Sequence, residues 1–137
     1  VAAVHDFQVD QGSFKRKTFK IQRLTDPTLP FDQSNPFINI DIASYEFRMQ
    51  VRNSYDNNSA VLTFSSVGTN PAITKHLVTS EIYIDFLPTV TSAIKFSGDE
   101  IAYVYDLECY TPGNENSAVR LVQGEMVLSR EATRIRN

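Results

Sequence analysis

The sequence predicts an all-β domain, a β-sandwich, on three observations. Residues 44–52 alternate more strictly than any other segment, with Tyr45, Phe47, Met49 and Val51 set against Glu46, Arg48, Gln50 and Arg52. Residues 100–110, EIAYVYDLECY, also alternate, placing Ile101, Tyr103, Tyr105, Leu107 and Cys109 on one side. Turn-forming residues separate these and similar segments at roughly even spacing. A period of two, rich in aromatic and β-branched side chains, marks strands with one buried face. Residues 100–110 are predicted to lie near the middle of a sheet, with neighbours on both edges.

The chain of 137 residues, 42% hydrophobic and 21% charged, suits one globular domain spanning 1–137. No apolar run approaches the ~20 residues needed to cross a bilayer, so no membrane partner is expected. The first residues, VAAVHDFQVD, lack the basic flank and long apolar centre of a signal peptide. A net charge of −3 argues against nucleic acid as the main partner. The single cysteine, Cys109, cannot form an internal disulfide, which fits folding in a cytosol.

In chain order, residues 4–9 form a first strand with His5, Phe7 and Val9 on one side. Residues 10–13 turn, with Gly12 available for a positive φ, into a second strand at 14–22. The two are expected to pair as a hairpin. Lys15, Arg16, Lys17, Lys20 and Arg23 make this the most basic part of the chain. Residues 24–39 carry Pro27, Pro30 and Pro36, which exclude a continuous helix or central strand. This segment is read as a Pro-rich loop folded back on the domain, or as an arm that a neighbour covers. Its apolar residues Leu29, Phe31, Phe37 and Ile38 make that question a functional one.

Residues 44–52 and 60–65 are expected to form a second hairpin. Further strands are predicted at 72–78, with Ile73 and Leu77 inward, and at 81–86, with Ile82, Ile84 and Phe86 inward. Residues 88–94 are the single helical candidate, a turn or two beginning at Pro88 and ending near Ile94. The last strand, 118–130, contains Gly124, which signals a bulge or a close backbone approach. Antiparallel connections at this spacing indicate a sandwich or a small barrel.

No residues assemble a reaction. His5 and His76 lack partners at metal-ligand spacing, so neither a metal nor a cofactor is expected. Asp106 and Glu108 share a strand face, and pairing with basic residues of a neighbouring strand, or exposure to solvent, explains them better than acid–base catalysis. Cys109 reads as a structural core thiol. The basic strand reads as a solvated, edge-protecting face or as a docking face for an acidic protein. Tyr55, Tyr83 and Tyr110 offer rings for sugar stacking, but they are scattered.

Four stretches together resemble small all-β virion structural proteins of tailed bacteriophages, a group related to the N-terminal domain of baseplate upper proteins and fibre-associated modules. They are DFQVDQGSF at 6–14, IDIASYEFRMQVR at 40–52, YVYDLE at 103–108 and VRLVQGEMVLSREATR at 119–134. The last includes a Leu-x-x-Gly step at 121–124 and closes near Thr133 and Arg134. The chain departs from the pattern in its Pro-rich 24–39 and in Ala102, where a Gly is usual.

The resemblance implies an Ig-like antiparallel sandwich and a non-enzymatic building block, most simply a tail, baseplate or fibre-attachment component. Capsid decoration is the alternative within virions, and a carbohydrate-binding adhesin module the alternative of another class. Partners would be other virion proteins or further copies of the chain, with no small-molecule substrate. Lys15, Lys17, Lys20, Leu29, Phe31, Phe37, Arg134 and Arg136 are the expected contact residues.

Overall fold

A computed structural model describes residues 3–57, 59–69 and 71–130. The chain begins with β1 (Ala3–Val4) and β2 (Phe7–Asp10), then β3 (Lys15–Lys20), β4 (Gln22–Leu24) and β5 (Phe37–Asn39). A 3₁₀ turn at Ile42–Ser44, capped by the Asp41 carboxylate on the Ala43 amide, leads into β6 (Glu46–Arg52). β7 (Leu62–Ser65), β8 (Ile73–His76) and β9 (Glu81–Phe86) follow, then the short helix α1 (Pro88–Ser92). The chain closes with the long strands β10 (Glu100–Thr111) and β11 (Asn114–Ser129).

Two sheets pack face to face. The larger runs β11–β10–β6–β7, with β1 and β2 both parallel to the outer edge of β11. The smaller runs β3–β9–β8, and β4 and β5 form a separate hairpin. A first strand parallel to the last, at the edge of an otherwise antiparallel sheet, completes an Ig-like sandwich. β10 sits between β6 and β11, the central place that its alternation predicts.

The core lies between the sheets. Phe47, Met49 and Val51 of β6, Tyr105 and Leu107 of β10, and Met126 and Leu128 of β11 face Ile73, Ile82, Ile84 and Phe86 of the smaller sheet. Each fully buried aliphatic or aromatic side chain of this kind contributes about 1.5–3 kcal/mol. Two residues predicted inward are exposed instead. Leu77 falls in the turn after β8, where Ser80 adopts a positive φ of 55°, and Tyr45 precedes β6.

The expected first hairpin does not form. β2 pairs in parallel with β11 and β3 pairs with β9, so the two strands belong to different sheets. The turn between them is real, with Gly12 at φ +81°. It is anchored elsewhere: the Gly12 amide donates to Thr91 Oγ1 at 2.9 Å and Gln11 Nε2 to the Ile94 carbonyl at 3.1 Å. Those bonds to α1 and its exit swing the chain from one sheet to the other. The second hairpin, β6–β7, forms with Met49 opposite Phe64.

Gly124 marks a close approach. The main chain of His5 and Asp6 runs beside β11 there, between the paired β1 and β2, and a Cβ at 124 would fall on the His5 carbonyl oxygen and 2.7 Å from Asp6 Oδ1. His5 N donates to the Gln123 carbonyl at 2.9 Å and Glu125 N to Asp6 Oδ1 at 2.8 Å.

Candidate docking surfaces

The Pro-rich segment is an arm with a fixed conformation. At its base β4 pairs with β5, and Thr25 bonds the Pro36 carbonyl through both N and Oγ1. Asn35, only 4% exposed, organises the interior of the loop. Its Nδ2 donates to the carbonyls of Asp26, Leu29 and Pro30 at 3.0–3.1 Å, and its Oδ1 accepts from the Asp26 amide at 2.7 Å. Asp26 accepts from the hydroxyl and amide of Thr28, and Asp32 from those of Ser34. These bonds hold both carboxyls below the usual carboxylate range.

The arm turns three large apolar side chains to solvent. Leu29 is 53% exposed, Phe31 61% and Phe37 51%. The Phe31 and Phe37 rings stack with centroids 5.2 Å apart and planes 20° apart. An ordered loop has already lost the conformational freedom that binding would otherwise remove.

The basic strand divides. Arg16 forms a two-pronged ion pair with Asp85, at 2.7 and 3.0 Å, and lies over the Tyr83 ring. Lys15 and Lys17 occupy the partly buried side of β3, and Lys20 the exposed side. None of the three lysines forms an ion pair among the described residues. The Lys17 ammonium sits 5.4 Å from the centre of the Phe7 ring and 5.5 Å from that of Phe19. Burial, with the neighbouring charge of Lys15, lowers its pKa. The structure thus brings Phe31 to Phe37 and Lys15 to Lys17, but no described bond, ion pair or ring contact joins the lysines to the arm. Arg134 and Arg136 lie outside the described residues.

The outer face of β10 carries a charge network. Asp106 is 3% exposed, held 3.3 Å from Arg120 Nη2 and 3.6 Å from Arg52 Nη1. Arg48 binds Glu108 at 2.9 Å and Glu115 at 2.8 Å. The Tyr55 hydroxyl donates to the Gly124 carbonyl, which ties the loop after β6 to β11. Burial raises the Asp106 pKa, Glu108 raises it further, and the arginines oppose the rise. Alternating charges on 44–52 and 100–110 signal this network in the sequence, whereas the near-complete burial of Asp106 does not follow from alternation alone.

The Cys109 thiol is half-buried and its pKa is pushed up by burial, the reverse of what a nucleophilic thiolate requires. His76 Nδ1 contacts Thr79 Oγ1, and His5 packs on Phe7 and Phe19. No cluster of three potential metal ligands occurs among the described residues. The three tyrosines considered for sugar stacking each have an arginine over the ring: Arg120 on Tyr55, Arg16 on Tyr83 and Arg48 on Tyr110. No helix among the described residues is long and apolar enough to cross a membrane.

No family model matches the chain, and no curated protein matches it. Among solved structures it is similar to the ASH / PapD-like domain of human CEP192 (PapD-like domain 7), at 13% identity over 96% of this chain and 82% of that one, with a TM-score of 0.31. A likeness at that level carries no argument about what this chain binds.

Proposed function

We propose that the chain is a non-enzymatic docking domain: a virion structural component of a tailed bacteriophage, placed at the baseplate or at a fibre attachment, that grips a neighbouring virion protein through its Pro-rich arm. The observation that carries the docking role is the arm itself. Three large apolar side chains are exposed on a loop held from within by the hydrogen bonds of the Asn35 side chain. Exposing a stacked phenylalanine pair on an ordered loop has a cost in water that a partner's apolar pocket would remove. The place in a tail rests on the sequence resemblance of 6–14, 40–52, 103–108 and 119–134. The rigid sandwich holds the arm at a fixed base, β4–β5, and leaves loops and edges free for partners.

The test replaces Leu29, Phe31 and Phe37 together by serine in a phage carrying the gene and measures the protein in purified particles. The triple variant is expected to melt within a few degrees of the parent, since all three residues are exposed, and to be missing from particles. Normal incorporation of the variant would refute the arm as the docking element. Normal particle assembly in a phage lacking the gene altogether would refute the structural role.

A further inference from the structure

β3 is an edge strand with an unusual inward side. Because β1 and β2 both lie in the larger sheet, β9 is the one strand beside β3 among the described residues. The side of β3 turned away from β9 therefore presents main-chain amides and carbonyls with no strand partner. The opposite edge of the small sheet is bridged: Lys75 of β8 reaches the Tyr45 carbonyl at 2.9 Å and Glu46 at 3.6 Å. On the β3 side there is a groove instead, lined by Ala3, His5, Lys17, Phe19, Lys20 and Val122.

We propose that the open edge of β3 accepts an extended acidic segment of a partner protein, which adds a fourth strand to the small sheet and places a carboxylate over Lys17. The docking surface is separate from the arm and does not depend on the arm's role. Three observations carry it. The edge has six residues, enough for a strand of ordinary length. Lys15 and Lys17 lie on the same, core-facing side, two residues apart, as do alternate side chains of an incoming strand. Neither has a carboxylate partner among the described residues, and the Lys17 ammonium lies over two aromatic rings.

These features work as a gate. A strand with apolar inward residues would cover Lys17 and bury an unpaired ammonium, so it is rejected. A strand with Asp or Glu at the inward positions pairs that charge while its main chain satisfies the β3 edge. A second copy docking through its own β3 would set lysines against lysines, which favours a different, acidic partner. The lowered pKa of Lys17 agrees with a cation short of counter-charge.

The experiment uses the full chain extended at its C-terminus by about 25 Gly/Ser residues, an r.m.s. reach of about 25–30 Å, followed by a test strand. Tethering raises the local strand concentration to the order of millimolar. Three strands are compared: Thr-Glu-Thr-Glu-Thr-Val-Thr, and the same sequence with Lys or with Val in place of both Glu. Amide exchange is read residue by residue. The Glu strand is expected to slow exchange at alternate amides of β3 about tenfold, while the Lys and Val strands leave them unchanged. With Lys17→Met, the Val strand is expected to protect β3 as well as the Glu strand does. No slowing by the Glu strand, or equal slowing by all three, overturns the proposal. Slowing at β3 in the untagged chain that grows with its own concentration assigns the edge to a second copy, and also overturns it.

Discussion

The Tyr105 hydroxyl donates a hydrogen bond to the main-chain carbonyl of His5, one hundred residues earlier. Tyr105 is buried in the centre of the larger sheet, and His5 lies between β1 and β2, where the chain runs along the edge of β11. The bond ties the first strand of the fold to its middle. Burial, and the nearby Asp6 and Tyr55, push the phenol's pKa well above its ordinary value, so it stays a donor.

Tyr105→Phe removes that donor and leaves the His5 carbonyl without it. The expected cost is about 1–3 kcal/mol, visible as a fall of several degrees in melting temperature. Tyr105→Asp puts a carboxylate in the core and is expected to prevent folding. An Asp variant that melts like the parent would place Tyr105 on the surface.

Gly124→Ala acts at the same close approach from the β11 side. The new methyl would meet main-chain atoms of His5, including its carbonyl carbon at 2.8 Å, and a backbone segment does not yield as a flexible side chain does. Overpacking of this kind costs about 1–3 kcal/mol. Amide exchange is expected to rise at residues 5–8 and 123–125 before it rises elsewhere. Unchanged exchange there would mean that the approach has room.

Asn35→Ala removes the donor shared by three carbonyls and the acceptor for the Asp26 amide. Because these partners all lie within the arm, the sandwich is expected to melt nearly unchanged, while limited proteolysis cuts within 26–36 far faster. Equal cleavage of variant and parent would show that the prolines alone hold the loop.

Asp106→Asn has a pH signature. The folded state raises the Asp106 pKa, chiefly by burial, so the folded protein takes up this proton more readily than the unfolded one. Wild-type stability relative to the Asn variant is therefore expected to increase as pH falls from 7 through the folded pKa. It then levels off below about 3.9, the ordinary value for Asp. Asp26 and Asp32, whose pKa values are lowered, lose their contribution as pH falls, but they do so in both proteins and cancel. Denaturant midpoints at pH 7, 5.5 and 4 measure the difference, and a constant difference contradicts the prediction.

The sequence makes β6 and β10 legible because each is half-buried, and period-two alternation records which half. Pro88 likewise announces α1, and Gly124 the close approach. The first hairpin misleads for a physical reason. Residues 10–13 have sound turn chemistry, but what decides the direction of the chain is Thr91 and Ile94, some eighty residues away. Parallel pairing of β2 with β11 leaves no local trace at all. For the docking surfaces, the prolines and phenylalanines of the arm are plain in the sequence, whereas the Asn35 network uses residue types found in any loop. The basic run is equally plain, yet only the register with β9 shows that Arg16 is neutralised by Asp85 and that the lysines are not.

The place of β11 bears on how the domain comes into being. It is the last strand described, and it supplies the neighbour for β1, for β2 and for one edge of β10. As the chain leaves the ribosome, everything through β10 can be present while the first two strands still have no edge to join. The larger sheet closes in one late step, over sequence separations of about 120 residues, and such closures are slow. Until then β10 offers an unpaired, largely apolar edge. The nascent domain is thus most exposed to misassociation just before β11, Asn114–Ser129, emerges.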